Sequence, residues 1–199
     1  MPDHARIGED CRRLDPGRNR AIAAALIEVL AEVGYRGLTM DEVAMAAGVG
    51  KAAIYRRWSS KTDLIVSYLD GALTTDDVVV PDAGSLREDL LCLLTAVSGY
   101  LSGPVGSANR ALVSALHEEP VLGEAFQRGP LKRWNGIFVE VLERAEKRGE
   151  IPRGASSSVG AETGRAILVH RWLITREPLD DQLVRALVDE VMLPLLSRA

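Results

Sequence analysis

The chain is poor in aromatic residues, which make up 5% of its 199 residues, and it contains two cysteines. Strands favour aromatic and β-branched side chains, so this scarcity argues against a sheet, whereas the abundant alanine and leucine favour helices. Cys11 and Cys92 lie far apart and indicate neither a disulfide framework nor a metal site. Because Cys92 lies within the apolar run Leu90–Leu94, we predict a buried thiol.

The chain also has little that would place it in a membrane. Its longest apolar run near the N-terminus, Ala21–Ile27, is far shorter than the roughly 20 residues that span a bilayer. Glu28 and Glu32 continue the helical pattern of this run, which indicates an amphipathic helix rather than a signal peptide. We therefore expect a cytoplasmic, globular protein.

Motifs that would indicate an enzyme are missing from the sequence. It has no Gly-x-Ser-x-Gly elbow, phosphate-binding loop or dinucleotide fingerprint, and Ser156–Ser158 is better interpreted as a helix-capping cluster. Three scattered histidines without close cysteine or carboxylate partners predict no metal site and no cofactor. An enzyme is the competing hypothesis from another class, and these absences weigh against it.

Apolar residues at helical spacing, separated by glycines and prolines, predict an all-α fold of about nine helices. The segment 74–84, rich in aspartate, is the best candidate for a domain boundary. The expected helices span 16–33, 39–48, 51–58, a segment from 60 onward, 85–102, 108–118, 121–148 with a bend near Gly129-Pro130, 156–175 and 179–197.

Charge is unevenly distributed along the chain. Residues 1–61 carry 10 Lys and Arg against 8 Asp and Glu, whereas residues 62–199 carry 14 against 20. Positive charge is therefore concentrated at the N-terminal end, where a DNA-binding element would need it. Residues 1–17 form a polar, aperiodic tail with Arg6, Arg12 and Arg13, which is either disordered or a basic arm that reaches DNA.

Two short helices separated by a tight turn lie between Thr39 and Trp58. The run Thr39–Glu42 fits a capping box at the start of the first, and Gly48 and Gly50 provide the turn. Ser60 is expected to cap the helix that follows. The side chains predicted to be buried are Val43, Val49, Ile54 and Trp58.

The outward face of the second short helix is cationic and otherwise small. It carries Lys51, Ala52, Tyr55 and Arg56, with Ala53 and Arg57 at its flanks. Lysine and arginine donate to guanine or phosphate, the tyrosine hydroxyl donates to phosphate, and alanine contacts a thymine methyl. These residues predict a recognition helix in the major groove of DNA.

Residues 20–68 closely resemble the N-terminal domain of the tetracycline-repressor (TetR) family of transcriptional regulators. Beyond residue 68 the chain resembles the family in its helical character and length, and in the Arg-Gly-Glu turn at Arg148–Glu150 that some relatives carry. The residues that carry the resemblance are Gly34–Thr39, Val43-Ala44, Ala47–Lys51, Ile54–Trp58 and Lys61.

The resemblance implies a role for each matching position. Thr39 and Lys61 are expected to contact phosphate. Relatives commonly carry Thr or Ser at the position of Ala53, so one hydroxyl contact is missing and the preferred operator is expected to be unusual there. A ligand-binding or protein-interaction module that has lost operator recognition is a further alternative. The residues implied to face the groove or its walls are Lys51, Ala52, Ala53, Tyr55 and Arg56, with Arg57 beside them.

The resemblance also implies a domain plan and partners. Residues 18–68 would bind DNA, and residues 69–199 would bind an effector and form a homodimer that reads a near-palindromic operator. The implied function is a sequence-specific transcriptional regulator, a repressor that a small-molecule effector releases from its operator. The expected pocket residues are Leu93, Val97, Tyr100, Leu116, Trp134, Phe138 and His170, although apolar residues at this spacing are more often core, and the expected dimer contacts are Leu168, Trp172, Leu183, Leu187 and Val191.

Overall fold

The computed structural model describes residues 16–71 and 80–198. Across these two ranges every regular element is a helix, which confirms the predicted all-α fold. The predicted basic tail, with Arg6, Arg12 and Arg13, and most of the predicted boundary segment 74–84 lie outside the described residues.

The helices follow the predicted order along the chain. They are α1 Pro16–Gly37, α2 Met40–Ala46, α3 Lys51–Tyr55, α4 Lys61–Leu69, α5 Leu86–Ser102, α6 Pro104–Glu118, α7 Pro120–Phe126, α8 Lys132–Arg148, α9 Val159–His170, α10 Asp181–Ala186 and α11 Leu193–Leu196. Wider π-helical turns at Gln127–Leu131, Arg171–Thr175 and Leu187–Met192 continue α7 into α8, extend α9, and join α10 to α11. The described residues therefore form nine continuous helical segments.

Two helices differ from the prediction at a glycine or proline. The first helix was expected to end at Gly34, and α1 does leave helical geometry there (φ 71°, ψ 178°) before a last turn that reaches Gly37. The sixth helix begins at Pro104 rather than at residue 108. Proline is well tolerated in the first turn of a helix, because the N–H that it lacks would have no intrahelical partner there.

The described residues group into two compact units, each considered by itself below. Unit 1 consists of residues 16–71 and 111–129, and unit 2 consists of residues 80–110 and 130–198. Within unit 1, α7 packs against α4. The domain bounds 18–68 and 69–199 stay a prediction.

The core of unit 1 includes an apolar stripe of α1 at helical spacing, whereas Val33 near the end of this helix is exposed. Ile22, Leu26 and Leu30 are almost completely buried, and α1 packs against α2. Leu64 and Ile65 of α4 are likewise buried. This scaffold is what orients the two short helices α2 and α3.

The core of unit 2 is drawn mainly from α5, α8, α9 and the segment that begins at α10. Leu90, Leu93 and Leu94 of α5 are buried as expected. Cys92 lies between them but is exposed, so the prediction of a buried thiol is wrong. An uninterrupted apolar run wraps around a helix, and only part of it faces the core.

Candidate nucleic-acid interface

The start of α2 is fixed by the predicted capping box. Thr39 Oγ1 accepts a hydrogen bond from the Glu42 backbone N–H at 3.2 Å, and Glu42 Oε2 accepts one from the Thr39 N–H at 3.0 Å. Asp41 and Glu42 also place negative charge in the first turn, where the helix dipole favours it. Local sequence alone therefore determines where α2 begins.

The turn between α2 and α3 depends on Gly48, whose φ is +64°. This left-handed conformation is strained for residues with a Cβ atom, so glycine suits the turn. Beyond it, Ile54 and Trp58 are buried together with Val43 of α2, which confirms the predicted inner face. Val49 is only half-buried, and α3 ends at Tyr55 and passes into a turn rather than continuing to Trp58.

The outward face of α3 has the exposure expected of a surface that reads DNA. Lys51, Ala52, Tyr55 and Arg56 are exposed, and Ala53 is half-buried. Arg56 forms no ion pair or hydrogen bond with the part of the chain that the structure describes, so its guanidinium is available to a phosphate or a guanine. Contact of each of these residues with DNA stays a prediction.

Sequence reasoning missed the role of Asp41 beside this face. Asp41 Oδ2 accepts a hydrogen bond from Lys51 Nζ at 2.5 Å, across the turn between α2 and α3. The hydrogen bond from Lys51 is the main cause that lowers the pKa of Asp41, and the Tyr55 hydroxyl acts in the same direction. No sequence pattern pairs residues ten apart across a turn, so only the structure identifies this contact.

Arg57 faces α1 rather than the outward face of α3. Its Nη1 donates to Asn19 Oδ1 at 2.8 Å, and its guanidinium lies 4.3 Å from the centre of the Trp58 ring. Burial lowers the pKa of this arginine from its ordinary value. The geometry therefore gives Arg57 a structural role in joining α3 to α1, while its predicted contact with DNA stays untested.

Lys61, the first residue of α4, holds the start of this helix to the backbone at the end of α1. Its Nζ donates to the carbonyl oxygens of Tyr35 at 2.7 Å and Leu38 at 3.3 Å, and it lies 4.5 Å from the centre of the Tyr35 ring. Ser60 caps α4, as predicted, by accepting from the Asp63 N–H at 3.1 Å. A phosphate contact by Lys61, if it forms, is made by an ammonium group that already ties α4 to the end of α1.

The predicted effector residues fall into different environments. In unit 2, Leu93, Val97 and Phe138 are buried, whereas Tyr100 and Trp134 are half-buried and form an edge-to-face pair with ring centres 5.3 Å apart. Leu116 belongs to unit 1, and His170 is exposed on α9. Of these residues, Tyr100 and Trp134 are in direct contact, and effector binding by any of the seven stays a prediction.

The predicted dimer contacts are mostly core residues of unit 2. Leu168, Trp172, Leu183 and Leu187 are each at most 9% exposed in the single chain, and Val191 is half-buried. Helical apolar spacing identifies the face that the single chain buries, and contact of these residues with a second chain stays a prediction. From residue 159 to residue 198, the large apolar side chains that remain exposed are Val159, Val169, Ile174 and Leu195.

Residues 16–71 and 80–198 contain no group of three or more His, Cys, Asp or Glu side chains that could hold a metal ion. No single helix in these ranges is long and apolar enough to cross a membrane, and only α5 and α6 together, as a pair bent by 68°, have the necessary length and composition.

Both halves of the chain match families of bacterial regulators. Residues 22–68 match the family described as "Bacterial regulatory proteins, tetR family", and residues 80–191 match "Tetracyclin repressor-like, C-terminal domain". An uncharacterized HTH-type transcriptional regulator of Mycobacterium tuberculosis is 33% identical over 92% of this chain and 89% of its own length. The DNA-binding transcriptional repressor TetR of Mycobacteroides abscessus is 32% identical over 90% and 94%.

Solved structures show the same fold at low sequence identity. FadR of Bacillus subtilis in complex with stearoyl-CoA has a TM-score of 0.58 and 21% identity, covering 90% of this chain and 98% of its own. AibR in complex with isovaleryl coenzyme A and operator DNA has a TM-score of 0.59 and 22% identity, covering 88% and 98%.

The helix-turn-helix of unit 1 and these matches define a DNA-binding transcriptional regulator. The chain belongs to the TetR family of bacterial regulatory proteins.

Proposed function

We propose that the chain is a homodimeric repressor that binds a near-palindromic operator through α3 and leaves it when a small-molecule effector binds. The observation that carries the proposal is the exposed face Lys51, Ala52, Tyr55 and Arg56, supported from behind by buried Ile54 and Trp58. A cationic, small-residue face on a rigidly held helix suits the major groove. The chain acts by binding, and we assign it no catalysis.

Symmetry links the proposed dimer to the proposed operator. A two-fold dimer presents two copies of α3, and each reads the same half-site in opposite orientation. The family acts as a dimer on operator DNA, and the solved structure of AibR includes its operator. A near-palindromic site is therefore the expected target.

The effector is proposed to be a molecule of the acyl-CoA class. Two structures with this fold hold stearoyl-CoA and isovaleryl coenzyme A. An effector that empties the operator almost completely must bind the released state more tightly by about 5.5 kcal/mol. Linkage is reciprocal, so operator DNA is expected to weaken effector binding by the same factor.

Selection from a random pool of double-stranded DNA tests the proposal. The full chain is expected to enrich a near-palindromic consensus, and an Arg56→Ala variant is expected to lose most of this enrichment. Binding to the enriched site should weaken with salt, with a slope of about −0.9 per neutralised phosphate.

The matched control for the selection is Arg128→Ala, since Arg128 is an exposed arginine of unit 1 that pairs with Asp70. This variant is expected to select the same consensus as the unchanged chain. Enrichment of no sequence by the full chain would favour a module that has lost operator recognition.

A further inference from the structure

Two arginines of unit 2 differ from their neighbours in what surrounds them. Arg87, Arg148 and Arg171 each lie within 4 Å of a carboxylate. Arg110 and Arg165 are half-buried and have no carboxylate within that distance among the described residues. A guanidinium that is partly removed from water and has no counter-charge is costly, so each calls for another source of compensation.

Arg165 on α9 is compensated by neutral groups. Its Nη1 donates to Asn135 Oδ1 at 2.5 Å, and its guanidinium carbon lies 5.1 Å from the centre of the Phe138 ring. Burial lowers the pKa of Arg165, an effect that Glu162 opposes. An amide oxygen and a ring face leave most of its five N–H donors without a strong acceptor.

Arg110, near the middle of α6, has a similar environment. Its guanidinium carbon lies 5.5 Å from the centre of the Trp172 ring, and its buried Nε has no hydrogen-bond partner. Trp172 is 7% exposed, and its Nε1 has no partner either. Buried donors are normally paired, so two unpaired donors beside each other indicate a place where an acceptor binds.

The residue next to Arg110 adds a buried acceptor. Asn109 is 4% exposed, and its Nδ2 donates to Tyr100 Oη at 2.8 Å while its Oδ1 has no partner. Tyr100 in turn packs edge to face on Trp134. Trp134 lies one helical turn before Phe138 on α8, so the two rings share a face of that helix.

We propose that Tyr100, Asn109, Arg110, Trp134, Phe138 and Arg165 bind an anionic amphiphile, whose negative group pairs with the two arginines and whose apolar body lies against the rings. Arginine holds carboxylates and phosphates through paired, charge-assisted hydrogen bonds. This inference rests on the proposed function, since it names the chemistry of the effector. An acyl-CoA fits the cluster because it combines an apolar chain with amides and phosphates.

Four probes of one chain length separate charge from apolar contact. Laurate, lauroyl-CoA, dodecanol and dodecylammonium are titrated into the full chain without DNA, below their micellar concentrations. Binding is followed by calorimetry and by tryptophan fluorescence, to which Trp134 and Trp172 of unit 2 contribute together with Trp58. We expect laurate and lauroyl-CoA to bind at least tenfold more tightly than dodecanol, and dodecylammonium to bind more weakly still.

Substitution of the two arginines tests whether their charges bind the negative group of the ligand. Arg110→Gln and Arg165→Gln are each expected to weaken laurate and lauroyl-CoA about 10- to 100-fold and to change dodecanol less than twofold. Arg87→Gln is the matched control, because Arg87 is an exposed arginine of unit 2 paired with Asp189 at 2.7 Å. It is expected to leave all four affinities unchanged.

The proposal is overturned if dodecanol binds as tightly as laurate, or if both glutamine variants bind laurate as the unchanged chain does. Should a glutamine variant fail to fold, its lysine variant keeps the charge, loses the planar fork, and is expected to bind laurate about tenfold more weakly. Operator binding without ligand is measured separately. If the chain binds operator DNA but none of the anionic probes, the inference about this cluster is wrong. If the chain selects no DNA sequence, the proposed function is wrong.

Discussion

At the scale of single residues, Asp41 holds one of the cations that α3 offers to DNA. The pair between Lys51 Nζ and Asp41 Oδ2 at 2.5 Å has to loosen before Lys51 reaches a phosphate or base. Asp41→Asn removes this competition, so we expect tighter DNA binding. The salt slope is expected to become steeper by up to about 0.9, the contribution of one further phosphate contact. Fluorescence anisotropy with labelled operator at several salt concentrations measures both quantities.

The charge lost in Asp41→Asn requires a control, because any lost carboxylate favours DNA in general. Glu32→Gln removes an exposed carboxylate of α1 in the same unit and is expected to leave the salt slope unchanged. The hydrogen bond from Lys51 lowers the pKa of Asp41, so the pair is intact above the ordinary aspartate pKa and is lost as pH falls through the lowered one. An equal gain from both variants at neutral pH would refute a specific role for Asp41.

Residue roles on α3 were only partly predictable from the sequence. Helical spacing correctly assigned Ile54 and Trp58 to the core and Arg56 to the surface. The side chain of Arg57 reaches Asn19, which is 38 residues away in the chain, and no local pattern anticipates that contact. A long cationic side chain can extend into solvent or reach a partner that is distant in the sequence, and which of the two occurs depends on the tertiary structure.

At the scale of helices, Lys61 has a structural role as well as a predicted role in contacting DNA. Its Nζ donates to three carbonyl oxygens, those of Tyr35, Arg36 and Leu38, at the junction of α1 and α2. Lys61→Met keeps much of the aliphatic stem but removes these hydrogen bonds, and we expect a loss of about 1–2 kcal/mol in the free energy of unfolding. Urea unfolding measures this loss, and operator binding measured well below the transition reports any additional loss of affinity.

Tyr55→Phe is the matched comparison for Lys61→Met. The Tyr55 side chain is 51% exposed, so removing its hydroxyl is expected to weaken DNA binding without changing the free energy of unfolding. Equal stability of the Lys61→Met variant and the unchanged chain would show that the carbonyl contacts contribute nothing. Full operator affinity of the Tyr55→Phe variant would contradict the assignment of its hydroxyl to the DNA.

The Arg148–Glu150 turn joins two helices of unit 2. Gly149 ends α8 in the left-handed region with φ +76°, and Glu150 Oε2 accepts from the Leu86 N–H at the start of α5 at 2.6 Å. Arg148 Nη2 donates to Asp89 Oδ2 at 3.1 Å, and Asp89 is completely buried. The turn therefore fixes the end of α8 to the beginning of α5, which explains its Arg-Gly-Glu sequence in structural terms.

Removing the buried member of this network should destabilise unit 2. Asp89→Asn leaves Arg148 with one charged partner fewer in a partly buried place, and we expect a loss of about 2 kcal/mol in the free energy of unfolding. Asp82→Asn is the control, because Asp82 is 68% exposed and lies 3.6 Å from Arg144 and 3.9 Å from Arg148. Exposed pairs of this kind contribute about 0–1 kcal/mol. Urea unfolding measures the free energy of unfolding of both variants. Equal losses in the two would show that the buried Asp89 contributes no more than the exposed Asp82.

At the scale of the whole molecule, the sequence predicted helices far better than surfaces. Periodicity, capping residues and prolines are local signals, and they placed all nine helical segments of the described chain. Which apolar face is left for a second subunit depends on how the helices pack. That is why Leu168 and Leu187, chosen from their spacing, turned out to be core residues.

The proposed dimer is best tested on the apolar residues that α9 and its extension leave exposed. Val169 is 44% and Ile174 is 66% exposed in the single chain. Placing two carboxylates in an apolar interface desolvates charge without a partner, so the double variant Val169→Glu and Ile174→Glu is expected to be a monomer. Because two half-sites are read by one dimer, its operator affinity should fall at least tenfold while single half-sites bind as before.

Val139→Glu provides the control for the dimer, since Val139 is 39% exposed on α8 of the same unit. It adds a carboxylate to another apolar surface position, and we expect this variant to have the same mass in solution as the dimer of the unchanged chain. Sedimentation equilibrium over a range of concentrations measures the mass of all three proteins. A double variant that remains dimeric would place the interface elsewhere on unit 2, and an unchanged chain that sediments as a monomer would contradict dimeric operator recognition itself.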